Sequence, residues 1–546
     1  MTSTILPQTQ NQSSETITEQ FDVIVIGSGM GGMTTASLLS QLEGKRVLLL
    51  ERHFQVGGFT HTFKRHGNLE WDVGLHYVGE VEQGSVPRAI FDFITQGQVK
   101  WQPMPDVYDR LVFPHFTHDV RKGRKHLIAG LIDRFPHENL AIQQYFKDLD
   151  RAYMWLELYT VTQMMTGKLW FLARLIRKWG EKYAQMTTGE YMNSHFTDPK
   201  LKAVLLGQWG LYGLPPCQSA FVGHALLVRH YMEGGYFPVG GSATIAESIV
   251  PTIEAQGGKV LKNHSVEEIL IKENQVIGVR AFQKKGKRSI EKIFLANTVI
   301  SDAGAYKTYT SLIPQEIKLP CRMETKKFPN GTANVTVYLG LKSDPKRFGF
   351  QGENYWIYSD YDHDDIHACR NELVNGQVNH AFLSFPSLKN PVAKGHTAEI
   401  IAFIDADSFN AWDNKPWRHR GGDYEELKTR IGNSLVEFVN EHFPGFAEQI
   451  EYLEVGTPIT TTHFTNHRNG NIYGLPMVPE KFQNRWFSPK TPIQGLYLTG
   501  SDAALFGVCG AMTSGLLSAA MATKKPWKLV TMVARAIKYS NALKPD

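Results

Sequence analysis

The chain is 546 residues long, 42% apolar and 20% charged, with a formal net charge of +5. That length exceeds what one hydrophobic core supports, so two or more lobes are expected, with little room for long disorder. The nearly balanced charge and the absence of a dense Lys/Arg block argue against nucleic-acid binding.

Residues 1–20 are polar and lack a basic start followed by an apolar run, so they read as a disordered leader and not as a secretory signal. "FDVIVI", from Phe21 to Ile26, is a short β-branched run of the kind found in strands buried on both faces. It leads into "GSGMGGMTTASLLSQL", small residues followed by a helical pattern, and then into a second buried strand, "KRVLLLER". Together these make a compact βαβ unit. From Arg88 to Tyr231 the chain is rich in Trp, Tyr, Met and Leu, with helical periodicity and few turn signals. Turn, helix and β-meander return from Gly234, and "NTVISDAG" adds another buried strand. Residues 306–490 mix strands with one clear amphipathic helix, and "GLYLTGSDAALFGVCGAMTSGLLSAAMAT" closes as strand, tight turn and helix.

The expected organisation is a nucleotide-binding domain from 21–87, 232–305 and 490–525, a substrate or membrane-facing domain from 88–231 and 306–489, and a basic amphipathic tail from 526–546. No apolar stretch reaches the roughly 20 residues a spanning helix needs. Cys217, Cys321, Cys369 and Cys509 lie far apart with no C-x-x-C pair, which argues against a zinc ribbon and fits a reducing compartment.

Gly27-x-Gly29-x-x-Gly32 stands between strand and helix, where a dinucleotide fingerprint has to stand. The first glycine makes the turn, the second lets backbone approach a pyrophosphate, and the third lets helix and strand pack closely. Glu51 ends the second strand, placed to accept from a ribose diol. Gly57 and Gly58 follow, where a nicotinamide domain would begin another helix; a glycine pair instead lets backbone pass close to a longer, flavin-bearing cofactor. Gly500 and Asp502 end the last buried strand, and the helix after them points its N-terminus at the same region. No second glycine fingerprint serves a nicotinamide cofactor, so FAD alone is expected.

"EWDVGLHYVGE", Glu70 to Glu80, alternates as a strand does. Trp71, Val73, Leu75 and Tyr77 form an apolar face. Asp72, Gly74 and His76 form the other, with Gly74 leaving room for the edge of a flat ring. His363 and His367 in "HDDIH" have a metal-ligand spacing, but the polar run around them reads as solvated surface, and no metal is expected. Leu169–Met186 and the tail "KKPWKLVTMVARAIKYS" mix aromatic and basic residues as interfacial helices do.

The segments "VIVIGSGMGGM", "LLLERHFQVGGFTHTF", "WDVGLHYVGE", "HALLVRHYMEGGYFPVGGS" and "GLYLTGSDAALFGVCGAMTSG" together resemble the carotenoid and retinoid oxidoreductases related to phytoene desaturase. Within that family they are most similar to the retinol saturase branch, with plant carotenoid isomerases next. The resemblance implies an α/β fold: a Rossmann-like FAD-binding domain of the amine-oxidase (GR2) type with an inserted α+β substrate domain. It implies FAD contacts at Gly27, Gly29, Gly32, Glu51, Arg52, Gly57, Gly58, Val266, Gly500 and Asp502. It further implies a hydrophobic polyene or polyunsaturated lipid substrate and an external electron donor, NAD(P)H or a reductase. The location expected is cytoplasmic, peripheral on a membrane surface. His76 is the candidate proton donor, with Asp72 orienting it or serving FAD. Saturation of a double bond is the leading reading; a desaturase or cis–trans isomerase using the same flavin, and a non-catalytic flavin- and lipid-binding escort, are the alternatives.

Overall fold

A computed structural model describes residues 17–165, 167–286 and 288–543. Its organising element is a five-stranded, all-parallel sheet in the spatial order Lys259–Leu261, Val47–Leu50, Val23–Ile26, Val299–Ser301, Leu496–Leu498. The strands come from three well-separated stretches of chain, and Val23–Ile26 and Val47–Leu50 are buried at every position, which explains their unbroken apolar runs. The helix Met30–Glu43 crosses between these two strands and packs against the long C-terminal helix Gly507–Ala522. Gly515 permits that approach: a Cβ there would lie 2.6 Å from the Gly31 carbonyl oxygen.

A second, seven-stranded sheet runs in the order Ile450–Gly456, Asn334–Leu341, Thr397–Phe403, His380–Ser384, Asn354–Tyr358, Val107–Phe113, Phe116–Arg121. The helix Gly422–His442 covers one face through a core that includes Leu427, Ile431 and Leu435. The last two strands correct the helical reading of residues 88–231. "VYDRLVF" and "FTHDVR" form a hairpin, and the first strand pairs in parallel with Asn354–Tyr358.

Three other expectations are revised. Ile17–Gln20, assigned to the leader, pairs in parallel with Lys292–Leu295 at the edge of a four-stranded sheet; residues 1–16 lie outside the described residues. The strand begun at Leu69 stops at Asp72, and after an irregular stretch only Val78 bridges again, to Tyr236. His363 is buried, not solvated: Trp209 Nε1 donates to its Nδ1 at 3.1 Å, and burial lowers its pKa to about 4. Among the described residues there is no metal-ligand cluster and no helix long and apolar enough to cross a membrane.

Candidate functional site

The glycine loop, the ends of the parallel strands and one face of the seven-stranded sheet enclose a cavity of about 1280 Å³. Its floor contains Gly27, Gly29, Glu51, Arg52, Gly57, Gly58, Val266, Gly500 and Asp502, nine of the ten residues expected at a cofactor. Gly32 lies behind the wall, where a Cβ would collide with the Gly27 carbonyl oxygen, so it serves strand–helix packing.

Two glycine turns form the cradle. Gly27 (φ +95°), Gly57 (φ +116°) and Gly58 (φ +56°) occupy backbone conformations that side chains resist. A Cβ on Gly58 would stand 3.0 Å from the Gly29 Cα, so the turns are in contact. Glu51 fastens them: Ser28 donates from N (2.9 Å) and Oγ (2.6 Å) to Oε2, and His53 N donates to Oε1 at 2.7 Å. Gly57 N in turn donates to Ser28 Oγ at 3.1 Å. Asp502 is similarly engaged, accepting from Ala305 N at 2.7 Å and Leu475 N at 2.6 Å.

Sequence reasoning missed Asp302, which follows the strand Val299–Ser301. Its carboxyl sits at the centre of the cradle, where Cβ atoms added at Gly29, Gly31 or Gly500 would each run into it. Burial, reinforced by the nearby Glu51 and Asp502 carboxylates, raises its pKa to about 8 against the opposing pull of the Gly32 and Gly29 N–H groups. The glycines of the fingerprint therefore make room for an acid of this chain. An acidic residue directly after a buried apolar strand was the available signal.

The opposite wall is apolar and aromatic, with Tyr338, Trp356, Phe382 and Phe403 among its residues. Val73, Gly74 and His76 also line the cavity; Asp72 does not. Asp72 is buried and turned away, accepting from Ser242 N at 2.6 Å, and burial raises its pKa to about 7. This corrects the pairing of Asp72 with His76. The acid beside His76 is Glu399, with Oε2 3.0 Å from Nδ1. Gly74 is confined by Phe59, whose Cβ would lie 3.0 Å from an added Cβ.

Residues 25–93 match the family model of an NAD(P)-binding Rossmann-like domain. An all-trans-retinol 13,14-reductase of Danio rerio is 31% identical over 527 residues, covering 92% of this chain and 85% of that protein. An inactive all-trans-retinol 13,14-reductase of the same organism is 30% identical over 538 residues, covering 93% and 86%. A chloroplastic prolycopene isomerase of an Oncidium hybrid cultivar is 26% identical, covering 92% and 83%. Among solved structures, a putrescine oxidase redesigned in its cofactor binding shares the fold at a TM-score of 0.61 and 15% identity, covering 95% of this chain and all of that one. The Rossmann-like α/β architecture and 31% identity over nearly the full length lead to one assignment: the chain is an oxidoreductase belonging to the all-trans-retinol 13,14-reductase family.

Proposed function

We propose that the protein is an FAD-dependent enzyme that saturates one carbon–carbon double bond of a retinoid, a carotenoid-derived compound or another polyunsaturated lipid. The observation that carries this reading is the continuity of one cavity from the double-glycine cradle to the aromatic wall, with His76 on its lining. Residues 21–87, 232–305 and 490–525 form the cofactor-binding unit, and 88–231 and 306–489 the substrate unit.

The cradle fits a flavin dinucleotide. Gly27, Gly29, Gly57 and Gly58 would present backbone to the diphosphate, Glu51 and Arg52 would stand beside the adenosine half, and Val266 would offer main chain to the adenine. Gly500 and the N-terminus of Gly507–Ala522 close the other end. With FAD bound there and reduced by an external donor, NAD(P)H or a reductase, the cofactor would supply hydride to one carbon of the double bond. His76 delivers the proton to the other carbon from Nε2, since Nδ1 is the nitrogen turned inward. Trp356, Phe382 and Phe403 hold a flat, apolar chain and exclude water from it.

The substrate would be drawn from a membrane surface. Phe171, Leu172, Ile176 and Trp179 are exposed on and just after the helix Gly167–Arg177, and Trp527 and Val530 at the start of the helix Lys528–Ala542. Met164 packs with Leu517, Met521 and Leu529, which brings these two exposed groups onto neighbouring elements.

The test is to reduce the purified flavoprotein anaerobically and add all-trans-retinol, mixed carotenes or unsaturated fatty acids. Flavin reoxidation is followed together with product mass. A product two mass units heavier is expected. Oxidised flavoprotein whose flavin is instead bleached by one of these compounds, with a product two units lighter, would replace the reading with desaturation. An isomer of unchanged mass would support the cis–trans isomerase reading that the prolycopene isomerase likeness favours. A flavin spectrum that responds to none of them would place the chain with its inactive relative.

A further inference from the structure

Glu399 has no local structural reason to be a glutamate. It lies within the strand Thr397–Phe403, in the middle of the seven-stranded sheet, opposite Tyr338 on one neighbour and Ser384 on the other. Its side chain is fully buried, and neither carboxylate oxygen has an aligned hydrogen-bond partner. A carboxylate in that setting is costly unless a charge faces it. Among the described residues, the one basic side chain within ion-pair distance of Glu399 is His76, with Nδ1 3.0 Å from Oε2.

His76 is held elsewhere as well. Lys389, itself buried, donates from Nζ to the His76 carbonyl oxygen at 2.9 Å and to Ser384 Oγ at 2.7 Å. Phe382 stands edge-on to the imidazole, with ring centroids 5.3 Å apart. The inner nitrogen of the ring, Nδ1, is buried on the side of Glu399 and has no aligned hydrogen-bond partner, while the side chain's remaining 15% exposure belongs to a residue of the cavity wall. The other charged groups coupled to this corner are few. Glu399 raises the pKa of Asp72 and of the Tyr338 hydroxyl across space, and Glu399, Asp109, Asp72 and Glu353 surround Lys389 Nζ.

We infer that Glu399 is the positioning residue of the proton donor: it holds the proton of Nδ1, fixes the tautomer of His76, and stabilises the imidazolium that protonates the substrate from Nε2. This role rests on the saturase reading. In that reaction Nε2–H breaks as a C–H bond forms at the carbon not receiving hydride. The ring is left neutral with its Nδ1 proton still beside Glu399, and Nε2 regains a proton from water before the next turnover. Glu399 touches neither substrate nor cofactor in this arrangement.

Two measurements test it. In histidine-labelled protein, with the His76 signals assigned by their loss in His76→Ala, nitrogen-15 shifts report the tautomer without any substrate. The parent should carry the neutral proton on Nδ1. Glu399→Met, similar in volume but without an acceptor, should move it towards Nε2. Identical His76 signals in the two proteins would overturn the inference. With all-trans-retinol as the probe, Glu399→Gln should lower kcat at least about tenfold while KM and flavin content stay within about twofold. The same change in a His76→Ala background should have less than about a twofold effect. Equal losses in both backgrounds would make Glu399 structural. If the parent protein does not turn retinol over, the saturase assignment for that substrate fails, whereas the tautomer comparison still decides whether Glu399 positions His76.

Discussion

The acid at the centre of the cofactor cradle predicts a pH dependence that can be read without any substrate. Asp302 is anchored by its own N–H, which donates to the Ile26 carbonyl at 2.7 Å, and its carboxyl is crowded by the glycine loop. An unperturbed aspartate titrates near pH 4; here burial, with Glu51 and Asp502 close by, raises the pKa to about 8. The carboxyl is therefore neutral below that pH and acquires its charge above it, next to the place where a diphosphate would lie. If only the neutral form accommodates the diphosphate, apparent affinity scales with the neutral fraction, about ten elevenths at pH 7 and about one eleventh at pH 9. The dissociation constant for FAD should then rise about tenfold over those two units, equivalent to about 1.4 kcal/mol. Asp302→Asn keeps the shape without the ionisation, so its dissociation constant should stay flat within about twofold. The assay is titration of deflavinated protein with FAD from pH 6.5 to 9, read by flavin fluorescence. One competing source of pH dependence is Lys481, buried behind Asp502, whose pKa burial lowers to about 8. A tenfold rise that survives in Asp302→Asn would therefore refute the assignment to Asp302.

Three further outcomes follow from the same geometry. Gly29→Ala should abolish flavin retention because its methyl group collides with Asp302 Oδ2; Asp302→Ala in the same chain should restore part of it, and no recovery would mean that the ligand alone requires the glycine. Trp71→Ala removes a fully buried ring whose Nε1 donates to the Leu339 carbonyl at 3.1 Å and which stacks on Phe63. It should cost about 3–5 kcal/mol and lower the midpoint of thermal unfolding by several degrees; an unchanged midpoint would contradict the packing described. Ile176→Asp combined with Trp527→Asp should weaken flotation with anionic lipid vesicles by at least about tenfold and leave flavin content unchanged. Equal flotation of parent and variant would remove that face from consideration.

The glycine-turn half of the cavity was legible in the sequence because its signals are local. A buried strand, a glycine turn and a helix follow one another in the chain, and Gly27, Glu51, Gly57 and Gly58 meet within residues 27–58 on adjoining turns. The substrate half was much less legible. Strict alternation in "EWDVGLHYVGE" marked Trp71 as core and placed His76 on the opposite side from it, but alternation does not tell where pairing stops. Among the described residues the strand Leu69–Asp72 pairs with Thr62–Arg65 alone, and beyond it Val73 N donates at 3.1 Å to the His61 carbonyl, outside any sheet.

What that ending changes is the identity of the acid. A continuous strand would have kept Asp72 and His76 on one face, which is why they were read as a pair. Once pairing ends, the two side chains separate: Asp72 reaches Ser242 and His76 reaches Glu399. The partner that replaces Asp72 lies in "TAEIIAF", where a single charge interrupts an otherwise apolar strand. That interruption is a signal in its own right. A strand buried on both faces does not carry an unpaired carboxylate without cost, so once the burial of Thr397–Phe403 is known a partner for residue 399 is to be sought. Which partner could not be read, because the seven-stranded sheet is assembled from the hairpin at 107–121 and from strands between 334 and 456, and only that assembly brings Glu399 to His76.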